Sequence, residues 1–103
     1  MSFPLQGEVW WAEAEDKRRP VLIVTRSEAI AVLTGIIVAP ITRTVRHIPT
    51  EVYLGPEEGM EVECCASFDN LQCILRSALT GRIGYLGLRR QEICGALRAL
   101  ADC

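Results

Sequence analysis

Two apolar runs in this sequence each carry a residue suited to phosphate at one end. Arg19-Pro20-Val21-Leu22-Ile23-Val24 opens with an arginine, and Val38-Ala39-Pro40-Ile41-Thr42 closes with a threonine. If the runs are antiparallel neighbours in a sheet, the start of one lies beside the end of the other. Arg19 and Thr42 then meet on one rim. A forked guanidinium holds two phosphate oxygens, and a hydroxyl can donate to a non-bridging oxygen. The chemistry on offer is charge neutralisation and hydrogen bonding at a phosphodiester. The plainer alternatives stay open: Arg19 in a surface ion pair with Glu15 or Asp16, and Thr42 as a strand-end hydroxyl capping a turn.

The elements that must position these groups read as short strands. Gly7 to Ala14 partly alternates and predicts a first strand. Glu15 to Arg19 is a charged loop. Pro20 to Thr25 is a near-continuous apolar run, as expected of a strand covered on both faces, and proline is allowed at its first residue. Ser27 is placed to cap a short helix over Glu28–Leu33. Ile36 to Thr42 is the next strand, in which Pro40 implies a bulge or an unpaired position. Arg43 to Ile48 is a loop. Strands follow over Thr50–Leu54, Val62–Ser67 and Leu71–Leu75, with Gly55 to Gly59 a turn by composition and Phe68-Asp69-Asn70 a break. Gly81–Gly87 is a further extended piece. Leu88–Ala101 predicts a helix with Ile93, Leu97 and Leu100 inside and Arg89, Arg90 and Arg98 outside. Gly95 within it implies close packing. Together these give a mainly β chain with helices (α+β): a small barrel or curled sheet, a short helix after the second strand and a C-terminal helix, in one domain over residues 1–103.

Half of the 103 residues are hydrophobic, enough for a single real core. No apolar stretch is long enough to span a bilayer, and the first residues carry no basic region followed by an apolar segment, so a cytoplasmic protein is expected. The 11 basic and 13 acidic residues give a net charge of −2, which weighs against a domain basic all round. The distribution differs from the sum. Lys17, Arg18, Arg19, Arg26, Arg43, Arg46 and His47 precede an acidic block of Glu51, Glu57, Glu58, Glu61 and Glu63, so one basic face is possible. The five cysteines form no C-x-x-C pair, and with His47 the only histidine no metal centre is expected. Cys64, Cys65, Cys73 and Cys94 read as small apolar fillers, and Cys103 as an exposed thiol. Trp10 and Trp11 must point to opposite faces of their strand, one into the core.

The order of motifs resembles the MazF/PemK family of toxin endoribonucleases. The resemblance rests on Gly7-Glu8-Val9-Trp10, on Arg19-Pro20-Val21-Leu22-Ile23-Val24, on Ala39-Pro40-Ile41-Thr42, on Ser67-Phe68-Asp69-Asn70-Leu71-Gln72-Cys73-Ile74, and on Arg82-Ile83-Gly84 followed by a helix. It covers nearly the whole chain. It implies an SH3-like barrel with a C-terminal helix, a homodimer, a cognate antitoxin, and RNA cleavage without a metal or other cofactor that leaves 2′,3′-cyclic phosphate and 5′-hydroxyl ends. Arg19 and Thr42 match the family's positions most associated with catalysis. Asp69 is kept from an Arg-x-Asp pattern whose arginine is Ser67 here, and Asn70 stands where glutamine is usual.

The resemblance therefore implies an RNA 2′-hydroxyl as nucleophile, so DNA should not be cut. Arg19 supplies charge, not basicity, because arginine stays protonated. Thr42 donates to a non-bridging oxygen, and Asp69 is a base or orienting group, or forms a local turn with Asn70. Arg18, Arg43, Arg46, His47 and Asn70 are expected to contact RNA. Two other classes compete. One is a toxin of the same fold that poisons a protein target such as DNA gyrase, against which the Arg-Pro plus Thr pairing speaks. The other is a small SH3-like adaptor, for which aromatics at 6% are too few to line a peptide groove.

Overall fold

The computed structural model describes residues 3–101. Seven strands form one strongly curled sheet: β1 (Glu8–Ala14), β2 (Lys17–Ile23), β3 (Gly35–Thr42), β4 (Glu51–Leu54), β5 (Cys64–Ser67), β6 (Gln72–Leu75) and β7 (Leu79–Tyr85). Their order is β4-β5-β3-β2-β1-β7, with β6 also on β3. All pairs are antiparallel. Two helices complete it: α1 (Ser27–Ile30) and α2 (Glu92–Ala101). The result is a mainly β half-barrel with a C-terminal helix, as the sequence predicts. No helix among the described residues is long and apolar enough to cross a membrane.

Curling divides the interior into two cores. Alternation along β1, β2 and β3 sends Val9, Leu22 and Ala39 to one face, where they pack with Val52, Leu54, Phe68 and the helix residues Ile93 and Ala96. Ala12, Val21, Ile23 and Val38 go to the other face, against Ile30 and Ile36. The tryptophans split as expected. Trp10 packs on the second core, and Trp11 faces the opposite side.

Several local expectations change. Lys17, Arg18 and Arg19 lie within β2, because the connection from β1 is a tight turn at Glu15 and Asp16. Glu15 takes the left-handed φ of 58° that lets β2 begin with only two residues between it and β1. Ser27 does not cap α1. Its Oγ accepts the Gln6 N–H at 2.9 Å, and α1 is a single turn entered from Arg26. The helix expected from Leu88 starts at Glu92, after a 3-10 turn over Gly87–Gln91. Leu88 is almost fully exposed, and Leu100 is exposed as well. Gly95 meets nothing, so it does not mark close packing. Cys64 and Cys65 are buried, whereas Cys73 and Cys94 are exposed; Cys103 lies outside the described residues.

Pro40 sits where its strand changes partner. β3 pairs with β6 over Gly35–Val38 and with β5 at Ile41 and Thr42. On that edge Ala39 and Pro40 fall between the two partners, so the unpaired position expected of the proline is present.

Candidate functional site

The ladder between β2 and β3 pairs Ile23 with Val38, Leu22 with Ala39 and Val21 with Pro40. The ladder ends there; the same register carried two residues further would set Arg19 opposite Thr42. Period-two alternation would put both side chains on the Val21 face, and Thr42 at the strand end also borders the groove on the opposite side. Arg19 is exposed, and its side chain makes no hydrogen bond or ion pair with any described residue. The ion pair with Glu15 or Asp16 is therefore not formed. Thr42 Oγ1 accepts the Thr44 N–H at 3.1 Å, which leaves its own proton free to donate outward.

Arg18 takes the other face. Its guanidinium carbon lies 4.6 Å from the centre of the Trp11 ring, a cation–π distance. Trp11, Pro20, Ile41, Thr42 and Arg43 border an open groove of about 520 Å³, with Met60, Glu61 and Arg82 on its far side. Arg82 is a cation at this groove that the sequence reading did not single out. Its Nε donates to Glu8 Oε2 at 2.8 Å, and Tyr85 lies 5.1 Å beneath its guanidinium. The signal was present: Arg82 belongs to the Arg-Ile-Gly motif, and β7 pairs with β1 at Trp10 and Trp11.

The far wall of this groove is held by backbone packed on backbone. A Cβ at Gly84 would fall 2.0 Å from the Glu58 carbonyl oxygen, and one at Gly59, where φ is 91°, would lie 2.7 Å from the Ile83 carbonyl oxygen. Only glycine at both positions lets the turn after β4 press against β7.

Arg43, Arg46 and His47 lie together in the loop from β3 to β4 and are exposed. His47 has a left-handed φ of 58°. Its ring is 5.7 Å from that of Tyr53, and its Nδ1 is 3.4 Å from the Tyr53 hydroxyl. Glu51, expected as part of an acidic surface block, is buried instead. Its Oε1 accepts the N–H groups of Arg46 and His47, each at 3.0 Å. Burial and the neighbouring Glu51 push the Cys65 thiol up to about 11, and burial raises Cys64 as well. Both stay protonated because there is little solvent to stabilise a thiolate.

Asp69 and Asn70 are placed apart from this group. β5 begins beside Thr42, which pairs with Cys65, and runs away from it. Asp69 follows the end of β5, roughly 10 Å further along at ordinary strand rise. Its Oδ2 accepts the Thr50 hydroxyl at 2.5 Å, and Asn70 Nδ2 donates to Ser67 Oγ at 3.0 Å. No described bond joins Asp69 to Arg19 or Thr42.

A family model described as the PemK-like, MazF-like toxin of type II toxin–antitoxin systems matches residues 5–102. The chain is 37% identical over 105 residues to the probable endoribonuclease MazF5 of Mycobacterium tuberculosis, covering 99% of this chain and 96% of that one. It is 47% identical over 77 residues to the endoribonuclease MazF3 of the same organism, covering 75% and 74%. Among solved structures, the Mycobacterium tuberculosis toxin MazF-mt6 matches with a TM-score of 0.84 at 38% identity, covering 92% of this chain and 96% of that one. An endoribonuclease from a mycobacterial species, solved with its cognate antitoxin, matches with a TM-score of 0.81 at 23% identity, over 96% and 95%; that likeness speaks to the fold alone.

Proposed function

This chain belongs to the PemK-like, MazF-like toxins of type II toxin–antitoxin systems, and from that membership we propose that it acts, as one domain, as a sequence-selective endoribonuclease on single-stranded RNA. The observation that carries the reading is the β2–β3 register, paired as far as Val21 and Pro40, which extended by two residues would bring an Arg19 side chain without a described partner opposite Thr42. A phosphodiester seated between them receives the Arg19 fork on two oxygens and the Thr42 hydroxyl on a non-bridging oxygen. The RNA 2′-hydroxyl attacks the adjacent phosphorus, the bond to the 5′-oxygen breaks, and a 2′,3′-cyclic phosphate and a 5′-hydroxyl remain. The proton lost by the 2′-hydroxyl is balanced by the one gained at the departing oxygen. Arg19 and Thr42 act on the charge that builds on the phosphorane, which is the largest contribution such sites make. No metal ion enters this scheme.

Arg18, Arg43, Arg46 and His47 are assigned to the RNA strand on either side of the cut, and Arg82 joins them across the groove. Asp69, tied to Thr50, is assigned an orienting role, because its bond fixes the residue that precedes β4. Asn70 remains assigned to RNA from the same turn. A cognate antitoxin that blocks this rim and a homodimeric assembly complete the reading, and the cytoplasm is the compartment where such an RNA target is met. The exposed apolar side chains Phe3, Leu33, Ile37 and Leu75 support self-association.

Incubation with total RNA in excess EDTA, followed by mapping of the new ends, tests the proposal. Discrete cuts with 5′-hydroxyl ends, absent with Arg19→Ala, are expected. Intact RNA of every class after exposure to folded wild-type protein would overturn it and favour the protein-poisoning alternative.

A further inference from the structure

The loop that presents Arg43, Arg46 and His47 is held by a carboxylate that the cleavage scheme does not use. Glu51 is the first residue of β4 and only 7% exposed. Its Oε1 accepts both the Arg46 and His47 N–H groups at 3.0 Å, and Oε2 lies 3.3 Å from the Arg46 nitrogen. No described cation forms an ion pair with it. A buried carboxylate is costly unless its oxygens are satisfied, and here the donors are consecutive backbone amides. Such amides, beside a residue with left-handed φ, form a concavity suited to an anion. The chain fills its own concavity, and the left-handed His47 is the residue that shapes it.

Further ties run from the same strands to the same loop. Cys65 Sγ donates to the Thr44 carbonyl at 3.7 Å, and Tyr53 O–H meets His47 Nδ1 at 3.4 Å. The arginine side chains on the loop make no hydrogen bond or ion pair with any described residue. The loop backbone is therefore fixed from below while its cations point outward.

We propose that Glu51 is a positioning residue, which fixes the β3–β4 loop in the shape that presents Arg43, Arg46 and His47 to the RNA backbone. This rests on the endoribonuclease reading. It assigns Glu51 to the grip on RNA and not to the chemical step.

The test compares wild type with Glu51→Ala and Glu51→Gln. Glutamine can offer one oxygen where Oε1 now accepts both amides, so it should rescue what alanine loses. The first readout is amide hydrogen exchange at Arg46 and His47, expected to quicken at least about ten-fold in Glu51→Ala, as for loss of a structural hydrogen bond. The second is binding of an oligonucleotide spanning a mapped cut, with 2′-deoxyribose at the scissile position so that it stays whole. Glu51→Ala should weaken binding about ten-fold and reduce the salt slope by about one or two, as expected when phosphate contacts are lost. Cleavage at saturating RNA should stay near the wild-type rate. A merely structural role would lower the folded fraction without changing that slope. If the alanine variant does not fold, Glu51→Asp, which withdraws the carboxylate by one methylene, takes its place. Wild-type affinity and slope in the variant would overturn the inference and leave the nuclease reading standing. Wild-type protein that neither binds nor cuts RNA would remove both.

Discussion

Arg89 reaches from the 3-10 turn ahead of α2 to Glu58, with Nη1 to Oε2 at 3.1 Å. Its Nη2 also donates to the Tyr53 carbonyl at 2.6 Å, and its Nε to Glu92 Oε2 at 2.7 Å. One guanidinium thus joins β4, the turn after it and the helix. Glu92, then Glu58, hold it firmly charged against the cost of partial burial. The Glu58 carboxylate is buried and is otherwise met by the Gly55 N–H at 2.7 Å.

Arg89→Ala should therefore cost about 2 kcal/mol, the usual range for charged hydrogen bonds that leave a buried partner behind. Arg89→Lys should recover only part, because an ammonium cannot match the planar fork. Urea unfolding midpoints measure both. An alanine variant as stable as wild type would show that this junction holds nothing.

Arg19 and Thr42 should behave as one unit. Arg19→Ala is expected to slow single-turnover cleavage by about 100-fold or more, the scale for losing a transition-state donor, and Thr42→Ala by about ten-fold. In the double variant the losses should not add, because both act on one phosphate. Arg19→Ala should move the melting temperature little, since its side chain bonds to nothing described, and Thr42→Ala should lower it slightly through loss of the bond from the Thr44 N–H. Strict additivity in single-turnover rates would separate the two residues.

Gly95→Ala should stabilise the protein by about 1 kcal/mol. The gain is the helix propensity of alanine over glycine, and the space at Gly95 is open. Thermal unfolding of the pair measures it. A loss of stability would mean that this face of α2 is covered in solution, as in a dimer.

The buried thiols make the protein sensitive to base. Cys65 titrates near 11 when folded and nearer 9 when unfolded, so above pH 9 the unfolded chain binds fewer protons. Stability contributed by the buried thiol is then present below pH 9 and lost as pH rises through about 11. At pH 8, Cys73 and Cys94 should react with a thiol reagent while Cys64 and Cys65 do not, as peptide mapping would read. Labelling of Cys65 in folded protein would contradict its burial.

The strands and the antiparallel pairing of β2 with β3 were legible because they rest on local patterns. Alternation in β1 and the apolar run of β2 report burial directly, and antiparallel pairing of neighbours follows from short connections. What escaped depends on contacts between distant segments. Glu51 reads as surface because glutamate usually is, and only the fold brings the Arg46 and His47 amides to it. Arg89 reads as the outer face of a helix, but its turn is 3-10 and its partners lie in β4 and beyond. The cysteines divide by strand position. Cys64 and Cys65 sit in β5 between β3 and β4, whereas Cys73 sits in β6, where burial is shallow. Asp69 looked like a partner for Arg19 by motif, and the direction of β5 carries it the other way.

Mechanically, β3 is a beam clamped at two places. β6 grips Gly35–Val38, β5 grips Ile41 and Thr42, and the span over Ala39 and Pro40 is held from one side only. A load applied at Thr42, where a strand of RNA would pull, is borne first by the short β5 clamp. The proline fixes φ in the span that hands the strand from one neighbour to the next, so the two halves of β3 answer to different partners, β6 beside the second core and β5 at the Thr42 end.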